Sequence, residues 1–188
     1  ITGFSPQAYP FNWYTRANIG HHWGAELKRA GYDGVLITGA AESPVQIIVR
    51  DDQVTIAPAD DLWGLDTFDT QEALRARLGK QVRALCIGPA GERLSRIATI
   101  HTGTSSTAGQ GGFGAVMGSK KLKAISVMGS GEVSVHDPEL LDGLLKSVAA
   151  DIRAYRAIPN LSEQNKALAC DRGGRVLPYA CTAACPTP

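Results

Sequence analysis

The sequence lacks a strong excess of charge of either sign. Its 188 residues carry 19 Lys and Arg against 18 Asp and Glu, a formal net charge of +1. Proteins that bind nucleic acid usually carry a marked basic surplus, so this balance argues against a nucleic-acid partner. The chain also lacks any run of eighteen apolar residues, which predicts that it contains no membrane-spanning helix.

The chain has neither an initiator Met nor a secretion-signal pattern at its start, Ile1-Thr-Gly-Phe4. We interpret this start, and the equally abrupt end Cys185-Pro-Thr-Pro188, as the ends of an internal fragment of a longer protein. The missing export signal predicts a cytoplasmic location. The sequence contains no convincing repeat and no low-complexity tract, and its 44% apolar content is ordinary for a globular protein.

Cysteine is scarce, with four in the chain. Cys86 lies inside an apolar run and is predicted to be a core residue, because a free thiol behaves as a small hydrophobe. Cys181 and Cys185 lie four residues apart between prolines, a spacing that suits two ligands of a metal ion or an iron–sulfur cluster. Nothing marks a secreted protein, which disfavours a disulfide. We expect Cys170 to be structural.

Glycine, by contrast, is abundant and concentrated in one place. The glycine segment, residues 108–118, holds five of the 21 glycines, and three lysines follow it. A backbone without Cβ atoms can turn sharply and approach a ligand closely, and the lysines add positive charge. The segment therefore predicts a surface for a large anionic cofactor, with a mobile surface loop as the alternative. The residues concerned are Gly109, Gly111, Gly112, Gly114, Gly118, Lys120, Lys121 and Lys123.

Two known phosphate-binding motifs fit the glycine segment poorly. A dinucleotide fingerprint needs a buried strand before it and a helix after it. Residues 101–108 are predicted to be a polar loop, and Gly118-Ser119 is predicted to end any helix after about one turn. A P-loop fails because Ser119 stands where glycine must precede Lys120.

The remaining pattern mixes helices and strands without regular βαβ alternation, which predicts an α+β fold. Residues 1–20 are expected to be irregular and rich in aromatic residues. A helical region is expected to begin near residue 135, giving domains 1–134 and 135–188. The predicted helices are 24–30, 69–78 (capped by Asp69 or Thr70) and 138–158, and the predicted strands are 34–38, 45–50, 54–56, 82–87, 96–100 and 122–128.

Six blocks of the sequence together resemble the aldehyde:ferredoxin oxidoreductase family of tungsten- or molybdenum-pterin enzymes. They follow the family order and cover about residues 15–130, and the most specific is the last, which is similar to the family signature almost residue for residue. The blocks are Asn18-Ile-Gly20, 24–34, 41–45, 62–64, 87–92 and 108–125.

The resemblance implies a fold and a cofactor set. It implies an α+β pterin-binding domain with two intertwined sheets, followed by the start of a helical, cluster-binding domain. Two pterins would hold one tungsten or molybdenum, with Mg between their phosphates, and a [4Fe-4S] cluster would pass electrons to ferredoxin or another carrier. The implied reaction is oxidation of an aldehyde to its acid, or a related low-potential reaction such as that of class II benzoyl-CoA reductases. A small-molecule substrate and a homodimer or larger complex are also expected.

The resemblance also assigns residues. Asn18 would meet a pterin edge, because an amide both donates and accepts, and Gly20 would let the backbone approach. Backbone N–H groups of the glycine segment would hold phosphates, and the cysteine pair would bind the cluster. The implied cofactor residues are Asn18, Gly20, Gly109, Gln110, Gly111, Gly112 and Phe113, and the implied metal ligands are Cys181 and Cys185.

Three departures from the family pattern point to a divergent branch. Gln110 replaces the usual Arg, which weakens a phosphate contact unless Lys120, Lys121 or an arginine elsewhere compensates. His21 and His22 replace a glycine and an aromatic residue; either is a candidate proton donor, with a packed or surface pair as the alternative. Cys181 lies one residue too far from Cys185 for the family spacing C-x2-C-x3-C, which would place a third ligand directly after Pro188.

The favoured interpretation is therefore the cofactor-binding part of a tungsten-pterin, iron–sulfur oxidoreductase, inactive by itself. Two alternatives stay open at this point. One is an NAD-dependent oxidoreductase of the Rossmann type, which needs a strand directly before Gly109. The other is a non-catalytic iron–sulfur electron-transfer subunit that binds no pterin.

Overall fold

A computed structural model describes residues 1–7, 10–11, 13–103 and 106–156. The chain divides into two compact units, Ile1–Glu132 and Val133–Pro188. The first unit combines two sheets with four helices, which confirms the predicted α+β class. Within the described part of the chain, no helix is both long enough and apolar enough to cross a membrane.

The first unit is built on one large sheet and one small sheet. The small sheet pairs two antiparallel strands, and the large one has six strands in the order β4-β3-β8-β5-β6-β7. The strands are β1 (Thr2–Ser5), β2 (Trp13–Arg16), β3 (Val45–Arg50), β4 (Gln53–Pro58), β5 (Arg83–Cys86), β6 (Ile100–Thr102), β7 (Ser106–Ala108) and β8 (Leu122–Met128). The helices are α1 (Trp23–Arg29), α2 (Thr67–Leu78), α3 (Pro89–Glu92) and α4 (Phe113–Ser119).

Strand β8 forms the centre of the large sheet. It runs parallel to β3 and antiparallel to β5, and all seven of its residues are buried. Five of its seven residues are apolar, as expected for a strand covered on both faces, which is why residues 122–128 were predictable as a strand. Ile125 packs in a cluster with Phe113 and Met117, whereas Ala124 packs in a second cluster with Leu62 and Leu74.

Local sequence signals explain several elements. The β3–β4 hairpin turns at Asp51, which has a left-handed φ of 49°, and the predicted hairpin is confirmed. Helix α2 ends at Gly79 with φ 104°, as expected for a terminal glycine. Its cap is Asp66, whose carboxylate accepts from the backbone N–H groups of Phe68 and Asp69 at 2.8 and 2.9 Å. The predicted cap at Asp69 or Thr70 was therefore three or four residues too late.

Three other predictions of local structure were wrong, because a segment forms a strand only where another strand pairs with it. Residues 34–38 form no strand, and Leu36 is 91% exposed. The predicted strand 96–100 begins only at Ile100, because the carbonyl of Ala98 accepts from the N–H of Gly114 at 2.9 Å instead of joining the sheet. Residues 1–20 are not irregular throughout, since β1 and β2 pair with each other.

The second unit is described over one helix, α5 (Pro138–Arg156). The Asp137 carboxylate accepts from the backbone N–H of Leu140 at 2.9 Å, which confirms the predicted N-cap. Lys146 pairs with Asp142 one turn earlier, a spacing that supports an exposed helix. The predicted helix over 138–158 is thus confirmed as far as Arg156.

Candidate cofactor site

The glycine segment connects β7 to α4 through a 3₁₀ turn, Gln110–Gly112. The predicted polar loop before Gly109 was wrong, because β7 ends directly before it. Helix α4 ends at Ser119, as predicted from Gly118-Ser119, but it is seven residues long and not about one turn. The chain nevertheless forms no dinucleotide fold: the antiparallel pairings along β8, β5, β6 and β7 make β7 and β8 run in opposite directions, whereas that fold needs parallel strands.

The C-terminal part of the glycine segment is packed against other backbone. An added Cβ at Gly112 would lie 2.1 Å from the carbonyl oxygen of Arg96, and one at Gly118 would lie 2.0 Å from that of Gly91. Gly114 has the same constraint against Thr99, at 2.6 Å. These glycines are needed because α4 lies directly on the backbone of α3 and the residues that follow it. They leave no space for a ligand.

The N-terminal part of the segment is open. Gly109 and Gln110 are exposed, and an added Cβ at Gly109 would meet no atom within 4 Å. Gly111, with φ 85°, is buried against Phe113 and Thr15. The segment thus changes from an open surface to a buried contact within two residues.

A groove of about 370 Å³ lies beside the open end. The register of the small sheet pairs Ser5 with Trp13 and Gly3 with Thr15, so these residues share the face that meets the glycine segment, where Gly3 approaches the Phe113 ring. None of the described lining residues carries a charge. Its described lining therefore offers neutral hydrogen-bonding groups and the aromatic ring of Trp13. Its lining is Ser5, Gln7, Trp13, Thr15, Gln110 and Gly111.

Asn18 and Gly20 lie near the start of the strand that leads into this open end. Both are exposed, and the backbone N–H of Gly20 donates to the Ser106 hydroxyl at 2.8 Å. Ser106 begins β7, and Gly109 follows the last residue of that strand. Strand β7 thus links the Asn18–Gly20 segment to the open glycine, two blocks separated by about ninety positions in the sequence.

His21 and His22 contact each other edge to face, with ring centroids 4.9 Å apart. His21 has a left-handed φ of 71°, which explains why glycine would suit this position. Its ring lies against Gly103, where an added Cβ would be 2.8 Å from Nε2. Burial, followed by the nearby charges of His22, Arg83 and Arg75, lowers the pKa of His21, so the imidazole is neutral at neutral pH.

The lysines that follow the glycine segment do not form the predicted positive cluster. Lys123 is fully buried, and its ammonium donates to the Glu92 carboxylate and to the Leu65 carbonyl, the latter at 2.7 Å. Lys120 donates to the Gly39 carbonyl at 2.8 Å, and Lys121 lies over the Trp63 ring. All three follow the C-terminal end of α4, opposite to Gln110, so none of them compensates for the missing arginine there.

A larger, mainly apolar cavity of about 590 Å³ lies between α1, residues 33–37 and the core. Its lining includes Trp23, whose indole N–H donates to the Ile125 carbonyl at 3.0 Å. Sequence reasoning missed this cavity because it is formed where residues 34–38 do not join a sheet.

Cys86 is buried in the sheet, as predicted, and burial raises its pKa to about 12. Cys170, Cys181 and Cys185 lie outside the described residues. Within those that are described, no group of three or more His, Cys, Asp or Glu is placed to hold a metal ion. The predicted cluster ligands therefore stay a prediction.

The sequence is similar to known oxidoreductases. It is 45% identical over 126 residues to the tungsten-containing aldehyde ferredoxin oxidoreductase of Pyrococcus furiosus, covering 66% of this chain and 21% of that protein. It is 39% identical over 137 residues to the aliphatic sulfonate oxidoreductase, WOR-like subunit, of the same organism, covering 65% and 22%. The chain thus spans about a fifth of the length of these relatives.

The fold is also similar to that of a solved complex. The active site complex BamBC of benzoyl coenzyme A reductase, solved with 1,5-dienoyl-CoA, matches with a TM-score of 0.76 and 34% identity. The match covers 81% of this chain and 23% of that one. Residues 1–129 match the family described as aldehyde ferredoxin oxidoreductase, N-terminal domain. The chain belongs to the aldehyde ferredoxin oxidoreductase family, whose N-terminal domain its first 129 residues form.

Proposed function

We propose that this chain is the cofactor-binding part of a tungsten-pterin, iron–sulfur oxidoreductase. The observation that carries the proposal is the open end of the glycine segment, where Gly109 and Gln110 border a groove and β7 links them to Asn18 and Gly20. The family membership supplies the cofactor class. The groove supplies a place of suitable chemistry for it.

The residues present fit the edge of a pterin ring. Amide and hydroxyl groups both donate and accept, as a heterocycle with mixed donors and acceptors requires, and Trp13 offers a flat apolar face. In this proposal Asn18, Gly20 and Gly109 approach the cofactor directly, and Gln110 donates to it. Gly111, Gly112 and Phe113 are buried and support the exposed residues from behind.

Phosphate groups are matched less well by these side chains. Gln110 donates a neutral hydrogen bond where arginine would make a charged, bidentate contact. A Mg ion between the cofactor phosphates would supply part of the missing positive charge, because Mg²⁺ is commonly shared between phosphates and few protein ligands. We therefore include Mg in the proposed cofactor set.

The proposed reaction is a two-electron oxidation or reduction of a small molecule. When bound, tungsten or molybdenum supplies the redox centre; for an aldehyde, the overall change converts aldehyde and water into carboxylic acid, two protons and two electrons. Cys181 and Cys185 would bind a [4Fe-4S] cluster that passes the electrons to ferredoxin or another carrier. His21, neutral because of its lowered pKa, is suited to accept a proton, and His22 is the other candidate.

The assembly around this chain is also part of the proposal. A similar structure is a complex of subunits, which supports a homodimer or a larger complex here. The helical region after residue 134 would begin the cluster-binding domain, and the first 134 residues would bind the pterin. This chain by itself should be inactive, and a cytoplasmic location stays a prediction.

Metal analysis of the full-length protein, purified without oxygen from cells supplied with tungstate, tests the proposal. We expect about one tungsten or molybdenum and about four irons per chain, with pterin phosphorus. Gly109→Asp places a carboxylate at the open end and should lower the tungsten content at least about tenfold by repelling phosphate. Gln53→Asp, which adds the same charge on the opposite edge of the large sheet, should leave it unchanged.

The outcomes separate the alternatives. Equal tungsten in the two variants would contradict the assignment of the groove. Iron without tungsten or molybdenum would identify an electron carrier that binds only the cluster. The presence of Gln110 where the family usually has Arg favours this alternative. Gln110→Arg should raise cofactor retention, because it restores a charged contact with phosphate.

A further inference from the structure

A small pocket lies where the last turn of α2 meets the start of β5 and the end of β6. Its volume is about 30 Å³, twice the ~15 Å³ that one water molecule needs in a cavity. It therefore has room for the end of a polar group and not for a whole cofactor. Its polar lining consists of His21, Gln71, Arg75, Arg83 and Thr102, with Gly103 at the edge.

Two guanidinium groups give the pocket an unbalanced positive charge. The Nε atom of Arg83 is buried without a hydrogen-bond partner, and one of its terminal nitrogens makes only long contacts with backbone carbonyls, at 3.3 and 3.5 Å. Within the described residues, neither Arg75 nor Arg83 forms an ion pair, whereas Arg77 on the same helix pairs with Asp61. A buried donor of this kind destabilises the protein unless an acceptor meets it.

The Gly103 carbonyl, an acceptor at this pocket, already has a donor. The side-chain amide of Gln71 donates to the Gly103 carbonyl and to the Thr67 carbonyl, both at 2.9 Å. The Gly103 oxygen, which would otherwise repel an anion, is thereby bonded to a donor. The electrostatic character of the pocket is then set by the two arginines.

His21 lines one side of the pocket, and its backbone has a left-handed conformation that is unfavourable for a residue with a side chain. A non-glycine residue with φ 71° is uncommon, and such outliers cluster at functional sites where the surrounding structure holds them in place. Its ring rests on Gly103, where a side chain would collide with it. With its pKa lowered by burial and by the neighbouring positive charges, the imidazole contributes a neutral N–H donor at neutral pH.

We propose that His21, Arg75 and Arg83 form a binding site for one oxyanion group, the phosphate, sulfonate or carboxylate end of a ligand. Guanidinium forks match the oxygen atoms of such groups and remain charged at any physiological pH. A terminal nitrogen of Arg83, which now makes only long contacts with backbone carbonyls, would gain a charged acceptor. None of these residues lines the groove beside Gly109, and the proposal stands without the proposed cofactor.

Calorimetric titration of the full chain with inorganic phosphate, at fixed ionic strength and about pH 7.5, tests the site. We expect one saturable site that Arg83→Gln weakens at least about tenfold, the effect of losing one charge-assisted hydrogen bond. Arg75→Gln should weaken it less, since Arg75 is exposed. Arg77→Gln is the matched control, with the same change in charge on the same helix, and should change the affinity less than about twofold.

Two results would overturn the proposal. One is equal affinity in the Arg83→Gln and Arg77→Gln variants; the other is no saturable binding of phosphate, sulfate or acetate. Should Arg83→Gln fail to fold, Arg83→Lys keeps the charge without the fork and is expected to bind with intermediate affinity. The exposed Arg75→Gln variant provides the same test with little risk to folding.

Repeating the titration on protein with and without the metal cofactor shows which molecule carries the oxyanion group. Phosphate binding that persists in the loaded protein assigns the site to a separate ligand or to the anionic end of a substrate. Binding that disappears on loading, with less phosphorus retained by Arg83→Gln, assigns it to a phosphate of the cofactor. The readout is phosphate affinity, so a protein without tungsten can still confirm the site.

Discussion

The two ends of the glycine segment use the same residue type for opposite purposes. At Gly112, Gly114 and Gly118 the missing Cβ lets two stretches of backbone touch. At Gly109 nothing lies within 4 Å of an added Cβ, and the backbone faces solvent beside a groove. Glycine density thus marks two structures that the sequence pattern alone does not separate: a helix contact that fixes the fold, and an open surface that can meet a ligand.

The largest expected difference is in the rate at which a thiol reacts, compared between the buried core and the open end of the glycine segment. Cys86, which is buried in the large sheet, has a pKa of about 12, so its thiolate is rare at neutral pH. A cysteine introduced by Gln110→Cys should have an ordinary pKa. We expect iodoacetamide to modify position 110 at least about a thousandfold faster than Cys86, because the thiolate is the nucleophile. Peptide mass spectrometry separates the sites, and in urea both should react at similar rates. Rapid labelling of Cys86 in the folded protein would refute the division.

The next largest effect is on stability and concerns the buried ion pair between Lys123 and Glu92. Lys123→Met leaves the buried Glu92 carboxylate without its cation and should lower the free energy of unfolding by about 3–5 kcal/mol. Lys120→Met, which removes a partly exposed ammonium from the Gly39 carbonyl, should lower it by less than about 1 kcal/mol. Urea denaturation measures both. Adding Glu92→Gln to the Lys123→Met variant should restore part of the lost free energy of unfolding. That result would confirm that the unpaired carboxylate causes the loss.

Alanine substitutions compare the two ends directly. Gly118→Ala places a methyl group 2.0 Å from the Gly91 oxygen, so α4 must move; the free energy of unfolding should fall by about 3 kcal/mol. Gly109→Ala should change it by less than about 0.5 kcal/mol, because the position is open and its φ of −84° suits any residue. Similar losses in the two variants would show that the open end is also packed.

The smallest predicted effect lies at His21. His21→Ala and His21→Gly both remove the imidazole, but only glycine is unstrained at φ 71°. The alanine variant should therefore be less stable than the glycine variant by about 1 kcal/mol. Denaturation curves of the pair measure this difference without any ligand. Equal stabilities would mean that the backbone relaxes and that position 21 stores no strain.

The sequence was sufficient where the signal is local. The β3–β4 hairpin, the buried strand β8 and the capped helix α5 follow from neighbouring residues, and the family follows from six ordered blocks. Residues 34–38 show the limit, because an apolar run becomes a strand only when another strand is available to pair with it. Similarly, the burial of Lys123 depends on Glu92, a residue about thirty positions away that only the folded chain brings to it.

The candidate site divides in the same way. Gln110 and the open Gly109 were found from composition and from the family pattern. The neutral groove and the arginine pocket were not, since folding brings together residues 5–15 with 110–111 in the groove, and residue 21 with residues 71–103 in the pocket. His21 was found by its own signal, a bulky residue at a position where the family commonly has glycine.

The contact between α3 and α4 also restricts how this sequence can change over generations. An added Cβ at Gly91 would lie 2.9 Å from the Gly114 oxygen, and one at Gly118 would lie 2.0 Å from the Gly91 oxygen. Each side chain would collide with backbone, so no replacement on the opposite helix can make room for it. Gly91 and Gly118 are therefore both restricted to glycine. A substitution at either position could be accommodated only if a whole helix moved, and no second substitution would compensate for it.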